Sequence, residues 1–260
     1  MVMEAKDLIG GMALPQGVMF VSKHRVSVAY HDAQGLQHYT REIHPGWLRV
    51  GPLGSMGLLL LEGGRAIGHI YRDSSDFKGM VVASLIGAPL GLLARAIITA
   101  PEWQRLLFAL VFLGGMFWAF YRFHLPFRQG VLNLGRYHGA EHMVAHTVEK
   151  GLPLTLEQVR QQPRLHRSCG TNLAVLTLPL IPISVLLPFW AYLLLLLPLL
   201  PLFSWTARNA DQNPLASRLL QFGYWGQRYT VAQPEERHLE AALRAMEGLQ
   251  DQPERIGLMA

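Results

Sequence analysis

Cysteine is nearly absent. The 260 residues hold one, Cys169, so no intramolecular disulfide can form, which suits a reducing compartment. Charge is scarce as well. Charged residues make up 16% of the chain, against about 25% in a typical soluble domain. There is no run of Lys and Arg and no basic patch interleaved with aromatics. The net charge of +5 therefore excludes nucleic acid as a partner and suits anionic lipid headgroups instead. Met1 to Gly11 has no apolar core of signal-peptide length, so a first membrane span would act as its own insertion signal. Internal repeats and low-complexity linkers are also missing.

Apolar residues are abundant: half of the chain, with a mean hydropathy of +0.20. Residues 79–94 carry no charge, nor do residues 106–121, with Pro101-Glu102 between them. Each run is slightly short of a bilayer span, and Arg95 can snorkel to lengthen the first. Between Arg167 and Arg208 lie 40 residues with no formal charge, enough for two spans broken by prolines. Of the 23 Lys and Arg residues, only Arg95 and Arg105 flank the outer turn of the first hairpin. The positive-inside rule then predicts four spans with both termini and the middle loop in the cytoplasm. The expected protein is a mainly α-helical polytopic membrane protein, built as two helical hairpins with small cytoplasmic α+β parts. The competing reading is a set of core helices in a soluble α protein.

This predicts five segments. Residues 1–78 are a cytoplasmic N-terminal segment. In it Val26, Val28 and Tyr30 alternate before the turn signal "HDAQG" and a second strand from Leu36 to Ile43, which predicts a β-hairpin. The glycine-framed "GPLGSMGLLLLEGGRAIGHI" reads as interfacial or re-entrant. Residues 79–122 are the first hairpin, 123–172 a motif segment, 173–207 the second hairpin and 208–260 a pair of cytoplasmic helices. Pro214 to Phe222 is amphipathic. The last helix starts at Pro234, with Leu239, Leu243, Met246 and Leu249 at helical spacing.

The chemistry-bearing stretch is "GRYHGAEHMVAH", residues 135–146. His138 and His142 are one helical turn apart on one face, the spacing of two-histidine metal sites. His-x-x-Glu-His reverses the better-known zinc-peptidase order. In such a site Glu141 can take a proton from water that the ion has made acidic. A complete site needs three or four protein ligands, and "RLHRSCGTN" supplies His166 and Cys169. Imidazole with thiolate favours a divalent ion of borderline softness, zinc before others. Glu149 is a further oxygen donor on the same stripe. His146 shares the stripe, but three ligands from consecutive turns of one straight helix rarely meet on one ion, so it reads as a supporting residue. The competing reading pairs Glu141 with Arg136 or Arg167 and makes Cys169 a small buried residue at a helix start.

"YHGAEHMVAHTVEKGLPLT" followed by "RLHRSCGTN" resembles the signature of the YqhQ-like family of bacterial membrane proteins. That signature reads Tyr-His-Gly-Ala-Glu-His-Lys, a downstream Glu, then Arg-x-His-x-Arg-Cys-Gly-Thr. It matches at Tyr137, His138, Gly139, Ala140, Glu141, His142 and Glu149, and again at Arg164, His166, Cys169, Gly170 and Thr171. "GGMALPQGVMF" and "GQRYTVAQPEERHLEAALRAM" resemble the family's two ends. The resemblance implies a polytopic inner-membrane protein and a metal-dependent enzyme with no stated substrate. Met143 stands where the family has Lys, Gln16 where it has Glu, and Met12 where it has Gln. Gln16 is therefore a further candidate site position.

The residues and the resemblance together predict a zinc-dependent hydrolase. Its site faces the cytoplasm, with Glu141 as base, His138, His142 and His166 as ligands, and Cys169 as the fourth ligand of a closed site or a supporting group beside an open one. A lipid-linked or membrane-peptide substrate follows from the expected location. The rival is a non-enzymatic scaffold or membrane-protein assembly factor with a structural metal and other membrane proteins as partners. A transporter is the third reading, without a visible inverted repeat.

Overall fold

The computed structural model describes residues 7–43, 51–71, 129–180 and 189–250, together with 46, 101 and 104. Two compact units divide the chain, one of residues 1–63 with 132–260 and one of residues 64–131. The described part of the first unit is an α+β structure. Strands β1 (Leu8–Leu14), β2 (Gly17–Ser22), β3 (Arg25–Asp32) and β4 (Gly35–Glu42) form an antiparallel meander in the order 1-2-3-4. β3 and β4 are the hairpin that the alternation predicted, with Asp32 paired to Gly35 across its turn. β1 and β2 were not expected, because two glycines interrupt β1. Pro15 and Gln16 form the two-residue turn between them, with Leu14 paired to Gly17.

The sheet's two faces differ. On one, Val18, Phe20 and Ala29 join a core made with two helices. The first, α2, covers residues 129–149 and contributes Tyr137, Ala140, Met143, Val144 and Val148. The last, α8 (Glu236–Gln250), contributes Leu239, Leu243, Met246 and Leu249 among others. Each Val, Leu, Phe or Met side chain among these contributes about 1.5–3 kcal/mol by leaving water. The predicted face of the last helix is thus the buried one. On the opposite face lies the first part of α1 (Pro52–Tyr71), whose Leu59 meets Gly10 and whose Glu62 pairs with Arg41. The segment read as re-entrant is this helix.

α2 ends in a Schellman motif. Gly151 adopts φ +64°, its N–H bonds Val148 O at 3.0 Å, and the Leu152 N–H bonds Thr147 O at 3.0 Å. A left-handed residue there needs glycine. The chain then turns back through α3 (Leu156–Arg160) and a loop to α4 (Gly170–Thr177). After a 3-10 turn, Leu178–Leu180, come α5 (Phe189–Leu196), α6 (Leu199–Asn209) and α7 (Pro214–Thr230).

These elements overturn the expected four-span membrane fold. Among the described residues no helix is long and apolar enough to cross a membrane. Among the described residues of the 40-residue charge-free stretch, no helix is long enough to span. Its described helices, α4, α5 and α6, have 8, 8 and 11 residues, whereas a span needs about 20. Pro179 sits in the 3-10 turn and Pro198 caps α6, so prolines end helices here rather than kinking them. α1 has the length, but Glu62 and Arg65 interrupt it. The multi-pass inner-membrane placement with cytoplasmic termini falls with the spans. The first predicted hairpin, 79–122, lies outside the described residues apart from 101 and 104.

His238 ties α8 to α2 and carries a stability prediction. It is fully buried, its Nε2 lies 3.0 Å from Asn133 Oδ1, and its Nδ1 accepts the Glu235 N–H at 3.2 Å. It thus closes the start of α8 as a capping-box Gln would. Burial, with Arg237 adding, lowers its pKa to about 4, below the unfolded value of about 6.5. Above pH 6.5 both states are neutral and the group is silent. Between pH 6.5 and 4 the unfolded chain takes up a proton that the native state refuses, so stability falls as pH falls. The loss is about 2–3 kcal/mol. His238→Gln keeps the cap and removes this part of the pH dependence, as urea midpoints at pH 7 and pH 4.5 measure. An equal drop in variant and wild type would refute the assignment.

Candidate metal centre

One face of α2 points into the core through Tyr137, Ala140, Val144 and Val148. The adjacent face carries His138, Glu141, His142, His146 and Glu149. It meets the loop that follows α3, residues 161–169, and the start of α4.

Two donor groups form there. In the first, His138, His142 and Cys169 each place a ligand atom within 4.8 Å of the others. The His138 and His142 rings are 4.4 Å apart, and Cys169 Sγ is 3.3 Å from His138 Nε2. In the second group, His146, Glu149 and His166 do the same. His166 Nε2 lies 3.0 Å from Glu149 Oε1, and His146 Nδ1 lies 3.6 Å from Glu149 Oε2. His166, expected beside Cys169, therefore stands with Glu149 and His146. Its ring is 5.5 Å from that of His142. Gln16 belongs to neither group; its backbone carbonyl accepts the His31 N–H in the β1–β2 turn. Met143 points into the core.

The backbone sets the rings of the first group. His138 Nδ1 faces the Thr230 carbonyl at 3.1 Å, and His142 Nδ1 bonds the Arg164 carbonyl. A carbonyl accepts only, so each Nδ1 carries the proton and each Nε2 a lone pair. This is how proteins orient metal-binding histidines. Burial lowers the pKa of both, His142 most, so they are neutral at physiological pH. Burial pushes the Cys169 thiol up to about 11, so without a cation it donates its S–H to His138 Nε2. Cys169 also caps α4, where its sulfur accepts the Thr171 N–H.

Glu141 lies at the edge of this group, Oε2 4.0 Å from His138 Nε2. Burial raises its pKa to about 7. The arginines that could have neutralised it are engaged elsewhere: Arg136 with Glu235 at 2.6 Å and Arg167 with Asp211 at 2.9 Å. Gly11 of β1 makes room for it. A Cβ there would lie 2.5 Å from Glu141 Oε1 and 2.8 Å from the Phe20 ring.

Gln227 on α7 escaped sequence reasoning. It is fully buried. Its Oε1 accepts the His166 N–H at 3.0 Å, and its Nε2 donates to His166 O at 2.7 Å and Asn172 Oδ1 at 2.6 Å. α7 approaches α4 closely because Gly223 and Gly226 face it; a Cβ on either would lie within 2.5 Å of Asn172 or Val175. Gly223, four residues before Gln227, was the available clue, since that spacing sets a small residue and a polar one on one helix face.

The fold and site define an α+β protein that gathers histidine, cysteine and glutamate from one long helix and the loop packed against it. Residues 79–252 match the family of proteins of unknown function DUF1385, and the chain belongs to that family. It is 29% identical over 154 residues to the uncharacterized protein YqhQ of Bacillus subtilis (strain 168). The match takes in 55% of this chain and 47% of that relative, so the chain spans about half the relative's length. No solved structure matches. The YqhQ-like resemblance is thus shown. Membership supplies neither the polytopic architecture nor the metal-dependent activity that the resemblance implied.

Proposed function

We propose that His138, His142 and Cys169 hold a divalent ion, zinc in preference, and that the protein is a metal-dependent hydrolase with Glu141 as general base. The supporting observation is the ring orientation: two Nε2 lone pairs and a sulfur converge while backbone carbonyls hold the remote Nδ1 protons. The donor set fits zinc, since imidazole and thiolate together suit a borderline ion. When bound, such an ion supplies Lewis acidity that brings water's pKa near neutrality.

Three donors favour catalysis over the structural alternative. A structural zinc is closed by four protein ligands, and a catalytic one keeps a position open. His166, one of the three histidine ligands expected from the sequence, stands instead against Glu149. Glu141, 4.0 Å from His138 Nε2, is the carboxylate that would receive the proton. A carboxyl near pKa 7 can both take a proton and return it at neutral pH. The lipid-linked or membrane-peptide substrate expected from the sequence rested on the membrane placement alone.

Glu141→Gln tests the role. The variant keeps the volume and the metal content but lowers turnover of any ester, amide or phosphoester substrate by about 10²–10⁴-fold. Metal analysis of both proteins accompanies the assay. Equal loss of metal and activity would make Glu141 a ligand or a folding residue.

A further inference from the structure

The group that the proposed hydrolase does not use has a composition of its own: two imidazoles and one carboxylate, His146, His166 and Glu149. We infer that it is a second divalent-cation position, harder than the first because it offers oxygen and nitrogen without sulfur. This extends the reading above without requiring the first position to be filled.

The geometry favours a cation over a plain hydrogen-bonded cluster. His146 Nε2 faces the Leu165 carbonyl at 2.9 Å, so its proton lies there and Nδ1 is bare. That bare nitrogen faces Glu149 Oε2 at 3.6 Å, where neither atom has a proton to share. A lone pair set against a carboxylate oxygen is repulsive until a cation lies between them. Glu149 is ionised, its pKa lowered chiefly by the hydrogen bond from His166. Two imidazoles with one carboxylate and open positions suit ions such as iron(II), manganese(II) or cobalt(II).

The second position binds more weakly than the first. Ser168 donates its N–H to His166 Nδ1 at 3.2 Å, so the His166 proton sits on Nε2, facing Glu149. Loading moves that proton to Nδ1 and gives up the Ser168 bond. His138 and His142 need no such change, and the proton that Cys169 gives up there is exchanged for a thiolate–metal bond. The two positions also share a frame. Arg164 and Leu165 are consecutive, and their carbonyls orient His142 and His146.

Cobalt(II) titration of the full chain separates the positions. Only the first contains sulfur, so only it gives a thiolate-to-cobalt absorption band, while equilibrium dialysis counts total cobalt. Wild type binds two equivalents in two steps, and the band saturates with the tighter one. Glu149→Gln, at a half-exposed position, retains the band and the wild-type melting temperature. It weakens the second step by at least about 100-fold, since losing even a supporting residue costs 10–100-fold. His146→Gln does the same. Saturation of wild type at one equivalent with a full band overturns the second position and leaves the hydrolase reading standing. So does a Glu149→Gln protein that still binds two. A wild type without the band, whose single equivalent Glu149→Gln removes, establishes the second position and overturns the first.

Discussion

Cys169→Ala lowers zinc affinity by about a hundredfold to a thousandfold. Four-ligand zinc sites deliver about 10–16 kcal/mol in all, so one ligand's share is about 2.5–4 kcal/mol, and each 1.4 kcal/mol is tenfold. The thiol also creates a pH dependence. Burial holds it protonated up to about pH 11, so zinc must displace a proton to bind. The thiol alone therefore makes wild-type affinity rise about tenfold per pH unit between pH 8 and 10. His138 and His142 add nothing in that window, since their pKa values lie below 6.5. In Cys169→Ala the thiol's share of the slope disappears together with the affinity. Chelator competition at pH 8, 9 and 10 measures both. Cys169→Ser is the control for the cap on α4: a hydroxyl restores the melting temperature and leaves zinc weakly bound. Unchanged affinity in Cys169→Ala would remove the first position altogether.

That cysteine shows what local sequence can reveal. His138, Glu141 and His142 are legible because helical spacing alone places them on one side, and the structure keeps them there. Cys169 was legible because a soft donor lay shortly after them. The partition of the donors was not. Whether His166 joins Cys169 or Glu149 depends on how the 161–169 loop is held, and Gln227, 61 residues away from His166, holds it. No spacing rule reaches across such a separation.

The membrane reading failed for a related reason. Hydropathy counts apolar residues but not the length over which they stay helical. In 168–207 the described helices are too short to span, and prolines lie at their ends. β3–β4 and the buried face of α8 were legible because their periods, 2 and 3.6, are local properties. β1 was hidden by Gly10 and Gly11, which lower strand propensity. Gly11 instead admits Glu141, a long-range requirement.

Gly139→Ala destabilises the protein by about 2 kcal/mol and weakens zinc binding by about 10–100-fold. On an exposed helix the same substitution gains about 1 kcal/mol, because alanine is the better helix former. Here a Cβ would lie 2.3 Å from Ala232 O and 3.3 Å from Pro234 Cδ. A side chain could rotate away, but a carbonyl held by its own chain cannot. Ala232 N is bonded to Gly135 O at 2.8 Å, and Val231 N to Gln227 O at 2.8 Å. The new methyl must push the 230–232 segment off α2, and forced overpacking costs about 1–3 kcal/mol beyond the lost propensity gain. The same displacement moves Thr230 O, which fixes the proton on His138 Nδ1. Losing such an orienting contact costs about 10–100-fold in metal affinity. Gly135→Ala calibrates the effect one turn earlier. Its Cβ would meet Thr230 O and Ala232 at 3.3–3.4 Å, so a small shift relieves it, and the expected loss is below about 1 kcal/mol. Urea unfolding and zinc titration of both variants give the ordering. A Gly139→Ala protein as stable as wild type, with wild-type zinc affinity, would mean that the 230–232 segment does not position His138.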